Sequence, residues 1–251
     1  MIGDTSQIAG GGPRIALAYV RRNNEADARY LAVLERAGAI TVPLWADDDR
    51  WERALEHASA LLFTGGGDIQ PALYGSHDGG RCAGVDEARE AREAAAFQIA
   101  EQRQLPVLAI CRGMQLINVL YGAGGRRGSL LEDIGDSAIR HRTRLGGPSA
   151  YHPISVSADT RLSAAIGRVG TCMVNSRHHQ GLRQAHLATG LIITAVAADG
   201  IVEALEAPGE RFFVGVQCHP EIPGEVPEFA GLFAAFVAAA RARQRVETAL
   251  P

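Results

Sequence analysis

Between Leu105 and Tyr121 the chain reads LPVLAICRGMQLINVLY, an apolar run that passes through one cysteine straight into a helical pattern. Leu105, Val107, Leu108 and Ile110 read as a short buried strand, and Met114, Ile117, Asn118 and Tyr121 recur at helical spacing. Cys111 therefore stands at a strand-to-helix turn. A thiol there faces unpaired backbone N–H groups and the positive end of the helix dipole, both of which favour thiolate. Ala109 and Gly113 on either side are small enough for a sharp turn that exposes the sulfur, as at a nucleophile elbow. The alternative for a lone cysteine is a buried structural thiol, and a distant histidine is what separates the two.

The same alternation runs through the rest of the first half. Arg14 to Val20, Ala39 to Leu44 and Ala60 to Phe63 read as strands, and Glu25 to Ala37 and Asp49 to Ala58 as helices, the first stopped by Gly38. Strands alternating with helices of this length imply βαβ units, hence an α/β fold with a doubly wound, mostly parallel sheet flanked by helices. Asp86 to Gln102 is a long charged helix, with Glu87, Glu90, Arg92 and Glu93 expected on a solvated face. Further on, Ile154 to Ser157 reads as a strand and Arg161 to Ile166 as a short helix. Leu191 to Ala197, Ile201 to Glu206 and Phe212 to Gln217 read as successive strands joined by tight turns, a smaller antiparallel region. A helix from Pro227 to about Arg243 closes the chain, so residues 14–246 are expected as one domain behind a polar, glycine-rich tail at 1–13.

The distant histidine ends the last of those strands. Phe212 to Glu221 reads FFVGVQCHPE, and His219 just past a strand end is placed to act as base for a thiol, with Glu221 two residues on to fix its tautomer. Gly65, Gly66 and Gly67 follow the strand at Ala60 to Phe63, where a glycine run lets the backbone approach a ligand closely. No G-K-[ST] follows, which argues against a phosphate loop. In a doubly wound sheet, ligands bind outside the carboxyl ends of the strands, where Cys111 and this loop both lie.

With these segments in view, the chain resembles the class I glutamine amidotransferase-like proteins. Within them it is most similar to the gamma-glutamyl hydrolases of the peptidase C26 type. The resemblance rests on ALLFTGGGDIQPALYG (Ala60 to Gly75), PVLAICRGMQLINVLYG (Pro106 to Gly122), VNSRHHQGL (Val174 to Leu182), ADGIVEALE (Ala198 to Glu206) and GVQCHPE (Gly215 to Glu221). It implies a flavodoxin-like fold and a cysteine hydrolase of the gamma-glutamyl amide bond with Cys111, His219 and Glu221 as triad. By the same resemblance, backbone N–H groups at Gly66 and Arg112 form the oxyanion hole, and Gln115, Ser176 and His178 bind the glutamyl part, with His179 structural. Arg89, Glu90 and Glu93 roughly match an arginine and acidic pair of the family and are taken as structural. Leu130 to Ile134 matches a short strand, and the polar segment Asp136 to Tyr151 a wall or lid over the pocket. A homodimer is expected on family grounds only. Position 218, often Trp in the family, is Cys here. Two other functions remain open: a glutaminase subunit that passes ammonia to a partner synthase, and a non-catalytic binding protein on the same fold.

Composition excludes other classes. A net charge of -3 and pI near 6.2 give no electrostatic reason to expect nucleic acid or a membrane surface. No apolar run approaches the ~20 residues of a transmembrane helix and the first residues carry no basic-then-apolar signal, so a cytoplasmic protein is expected, while a small gamma-glutamyl amide as its partner is what the resemblance implies. The cysteines, Cys82, Cys111, Cys172 and Cys218, form no C-x-x-C pair and are expected as free thiols. His178 and His179 are adjacent rather than at i, i+4, and no clustered carboxylates accompany them, so neither a metal nor an organic cofactor is expected.

Overall fold

Short runs that are apolar on both sides become the central strands of one sheet, because only a strand covered by helices on both faces can bury every side chain. A computed structural model describes residues 11–122, 125–144 and 147–249, so residues 1–10 of the expected tail lie outside the described residues. In chain order the elements are β1 (Arg14–Val20), α1 (Glu25–Arg36), β2 (Ile40–Trp45), α2 (Trp51–Glu56), β3 (Ala60–Phe63), α3 (Glu87–Gln102), β4 (Val107–Ile110) and α4 (Arg112–Leu120). They continue with β5 (Ala150–Val156), α5 (Arg161–Ile166), β6 (Gly170–Ser176), β7 (Ile192–Ala197), β8 (Val202–Glu206), β9 (Phe213–Val216) and α6 (Ala230–Ala249).

The described strands form a nine-stranded mixed sheet in the order β2-β1-β3-β4-β9-β8-β7-β5-β6. Pairing is parallel from β2 through β9 and antiparallel from β9 through β6. The antiparallel strands thus continue the parallel sheet rather than forming a separate layer. Every residue of β3, β4 and β9 is buried. On one face Tyr30 and Leu34 of α1, Leu162 of α5 and Phe233 and Phe236 of α6 pack on Ile15, Leu17 and Ile110. On the other, Leu55 of α2, Phe97 of α3 and Met114 and Ile117 of α4 pack on Ala16, Ala109 and Phe213. Gly38, with φ +87°, turns the chain out of α1 as its position just past the helix predicts.

Several sequence expectations change. Of the residues 130–134 expected as a strand, only Leu131 pairs, in a single bridge to Gly181. The strand expected from Ile154 begins at Ala150, and its alternating burial marks a half-solvated antiparallel strand. β6 was not foreseen: GTCMVNS carries glycine, threonine and asparagine in an edge strand that needs little apolar surface. The closing helix starts at Ala230 after a 3-10 turn at Pro227–Phe229 and runs beyond Arg243. Among the described residues no helix is long and apolar enough to cross a membrane.

Candidate active site

Cys111 sits between β4 and α4 with φ 53° and ψ −109°, a conformation that L residues seldom adopt and that stores of the order of 1–3 kcal/mol of strain. The surroundings hold it there. Its N–H donates to the Val216 carbonyl at 2.8 Å, tying the turn to β9. Gly113, two residues on, lies so close to β3 that a Cβ would come within 2.8 Å of the Phe63 Cβ. The elbow thus requires glycine at 113 and lifts the cysteine out of the sheet.

The neighbouring strand delivers the histidine. β4 and β9 are parallel with Ile110 opposite Val216, so both strands end at the same edge and His219 emerges beside Cys111. The His219 imidazole meets the Cys111 sulfur on one side, and its Nδ1 lies 2.7 Å from Glu221 Oε1 on the other. Burial alone would lower the imidazole pKa, but charge on Cys111 and Glu221 and hydrogen bonds to both hold it well above the usual histidine range. Asn175, at the end of β6, clamps this histidine from behind: its Oδ1 accepts from the His219 N–H at 2.8 Å and its Nδ2 donates to the His219 carbonyl at 2.9 Å. Asn175 Nδ2 is itself anchored on Glu225 Oε2 at 2.7 Å.

The glycine loop after β3 closes the third side. Tyr30 Oη accepts from the Gly65 N–H at 3.0 Å, and Arg89 Nη2 donates to the carbonyls of Thr64 and Gly65 at 3.2 and 3.0 Å. A Cβ on Gly66 would collide with the Arg89 guanidinium and approach Arg112 Cδ to 3.2 Å, so the loop depends on glycine for close approach. Here the structure overturns the expected solvated face of α3. Glu87 is exposed, but Arg89, Glu90 and Glu93 are buried. Glu93 accepts from Arg89 Nε at 2.9 Å and from Arg112 Nη1. One buried carboxylate therefore joins the glycine loop, through Arg89, to the first residue of the elbow helix, Arg112. The helical spacing of these charges is the same on a wet or a dry face, and the deciding partner, Arg112, comes from another helix.

A pocket of about 280 Å³ opens at Cys111, lined by Gly66, Arg112, Gln115, His178, His179 and Gln180, and on its rim by Arg81, Arg142, Arg144 and Arg177. Residues 142–144, 147 and 148 of the polar segment form one wall. Asp68, the one carboxylate among the described lining residues, is engaged by His179 Nε2 at 2.6 Å. Gln115 donates to the Gln180 carbonyl and to Gln217 Oε1 at 2.9 and 3.1 Å, which fixes its orientation in the wall. Ser176 is buried, and its hydroxyl donates to the His141 carbonyl at 2.6 Å, away from the described pocket lining. The ring nitrogens of His178 are directed at the Gln180 carbonyl and at Glu203, so only the body of the ring contributes to the wall. Cys218 is buried and off the pocket, its thiol pushed well above the usual range by burial and by the charge of Glu203. The sequence reading missed Tyr30, which no local pattern marks, and Asn175, which lies inside the VNSRHHQ segment that carried the resemblance.

Comparison with known proteins places the chain in a family and supports its fold. The gamma-glutamyl-gamma-aminobutyrate hydrolase of Escherichia coli is 30% identical over 202 residues, covering 77% of each chain. A provisionally named glutamine amidotransferase of Mycobacterium tuberculosis is 36% identical over 198 residues, 77% of this chain and 61% of that relative's length. Among solved structures, the glutaminase domain of the CTP synthase of Trypanosoma brucei, with bound acivicin, superposes with a TM-score of 0.64 at 19% identity, over 92% of this chain and 94% of that one, and supports the fold. The Peptidase C26 family model matches residues 16–221, a span that runs from β1 to the carboxylate behind His219, and the chain belongs to that family.

Proposed function

We propose that this protein is a cysteine hydrolase that cleaves the amide bond of a gamma-glutamyl amine to glutamate and free amine. The observation that carries this reading is the meeting at one sheet edge of a strained cysteine and an imidazole held between that sulfur and a buried carboxylate. The Cys111 thiolate attacks the gamma-carbonyl, and N–H groups of Gly66 and Arg112 receive the oxyanion, each such donor being worth roughly 3–4 kcal/mol. His219 protonates the leaving amine, and the same histidine then activates water to release glutamate from the thioester. Glu221 keeps the His219 ring oriented through Nδ1.

The arginine rim selects the leaving group. Four guanidinium groups around a pocket whose lone described carboxylate is already engaged favour a polyanionic substrate and repel a polyamine. The amine that leaves therefore carries a carboxylate of its own, as in an amino acid or gamma-aminobutyrate. The test is glutamate release by the purified protein alone from gamma-glutamyl-gamma-aminobutyrate, a gamma-glutamyl polyamine and free glutamine, with Cys111→Ala beside it. Preferential cleavage of the carboxylate-bearing amide, lost in the variant, is the expected result. Turnover of glutamine alone, or only after a partner is added, would make the chain an amidotransferase subunit, and activity that survives in Cys111→Ala would remove the mechanism.

A further inference from the structure

Behind the pocket wall, residues far apart in sequence surround one buried carboxylate. His141 Nδ1, His152 Nε2 and His178 Nε2 lie 3.3, 3.7 and 3.9 Å from Glu203 Oε1. All four residues are at most 5% exposed. Each imidazole turns its other nitrogen outward onto an acceptor: His141 Nε2 to Asp199 Oδ2 at 2.8 Å, His178 Nδ1 to the Gln180 carbonyl at 2.8 Å, and His152 Nδ1 to the Pro153 carbonyl at 3.3 Å. In a neutral ring the outward nitrogen then carries the hydrogen and the inward one a lone pair. Those inward nitrogens, and both oxygens of Glu203, have no hydrogen-bond partner. Three lone pairs facing a desolvated carboxylate repel one another, and a buried charge of this kind persists only when it is paired or holds a metal.

We propose that this cluster binds one divalent transition-metal ion, zinc first, through His141 Nδ1, His152 Nε2, His178 Nε2 and a Glu203 oxygen. Zinc bonds of about 2.0–2.2 Å place neighbouring tetrahedral ligand atoms roughly 3.3 Å apart, close to the separations from Glu203 Oε1. The His141, His178 and Glu203 ligand atoms all lie within 4.8 Å of one another; His152 Nε2, 3.7 Å from Glu203 Oε1, stands outside that group and has to move in to become the fourth ligand. The outward contacts supply the second layer a metal site needs, since a carboxylate or carbonyl on the far nitrogen fixes the ligating tautomer. With His152 drawn in, four protein ligands leave no open position, and the burial of all four keeps solvent and substrate away, so the ion is structural. It ties β5, β8 and the 136–144 wall segment to His178, at the back of the substrate pocket. The competing arrangement, a His141 imidazolium bridging Asp199 and Glu203, still leaves His152 Nε2 and His178 Nε2 unpartnered. A second cluster, Asp78, Cys82 and Glu132, is more exposed, and its Glu132 carboxylate already accepts from the N–H groups of Gly79 and Arg81.

The test is elemental analysis of the full chain after incubation with excess zinc and gel filtration, together with the visible spectrum of the cobalt-substituted protein. One metal per chain is expected, with a four-coordinate cobalt spectrum lacking thiolate charge-transfer bands. Glu203→Gln and His152→Ala lower the metal content about tenfold or more, while Cys82→Ser leaves it unchanged. Should the first two variants fail to fold, X-ray absorption at the zinc edge of the unaltered protein decides, by showing imidazole and carboxylate ligands or others. A wild-type chain that retains no zinc, a thiolate-bound cobalt, or a folded Glu203→Gln that keeps its metal would each overturn the site.

Discussion

Glu93 and Glu203 are both buried, and they are treated in opposite ways. Glu93, on the parallel side of the sheet, has hydrogen-bond donors on both oxygens, from Arg89 and Arg112. Glu203, on the antiparallel side, has none, and faces three histidine nitrogens instead. Both residues are at most 1% exposed. A carboxylate that is paired and bonded is a positioning device, and Glu93 fixes the glycine loop and the elbow helix relative to each other. A carboxylate surrounded by lone pairs is a receptor for a cation. The same residue type at the same depth therefore reports two different tasks, and its partners decide which.

Breaking the first of the pair has the largest effect. Glu93→Ala leaves the Arg89 and Arg112 guanidinium groups buried without their shared counter-charge, and losing one partner of such a pair destabilises by about 3–5 kcal/mol. Denaturant titration should show that loss, with glutamate release abolished because the loop and elbow no longer hold register. Glu203→Gln sharpens the contrast through its sign. In chelator-treated protein the change removes an unpartnered charge and no hydrogen bond, so stability stays level or rises. With zinc present a hundredfold above its Kd, the unaltered protein gains about 2.7 kcal/mol that the variant lacks. Thermal melts of both proteins with and without zinc read the difference directly.

The sequence made one of these regions legible and hid the other. β4 and β9 are short runs apolar on both faces, a pattern that local reading recognises, and Cys111 and His219 sit at their ends. The parallel pairing of those strands then brings the two residues together. Glu93 and Glu203 depend on contacts across the fold. Arg112 reaches Glu93 from a different helix, and His141, His152 and His178 reach Glu203 from a loop, a strand and the end of another strand. Spacing rules compared His178 only with its neighbour His179. These two side chains turn to different partners, His178 to Glu203 and His179 to Asp68, so their adjacency carries no information about the cluster around Glu203.

Asn175 tests whether the antiparallel side also serves the chemistry. It reaches from β6 across to His219, replacing a covalent tether with hydrogen bonds to both backbone groups of the histidine. Asn175→Ala leaves those groups unsatisfied, worth about 1–3 kcal/mol in a buried setting. The expected outcome is a fall in kcat of about tenfold with KM little changed, because the histidine drifts while the pocket keeps its shape. An equal loss in thermal stability with kcat intact would assign Asn175 to the fold alone.

The smallest effect is expected at His179, where a pH profile separates a paired histidine from a ligating one. The hydrogen bond that His179 Nε2 donates to Asp68 raises the His179 pKa, burial opposes it, and the Asp68 charge adds to the rise. Because the folded value lies above the unfolded value of about 6.5, the pair stabilises fully below that pH and loses its contribution as pH rises through the folded value. His179→Gln should therefore melt below the unaltered protein at the acid end of a series from about pH 5.5 to 9, with the gap closing toward alkaline pH. A gap that widens with pH would mean that the neutral imidazole is the form the fold prefers, as it is for a metal ligand, and would move His179 from the paired side of the comparison to the side of Glu203.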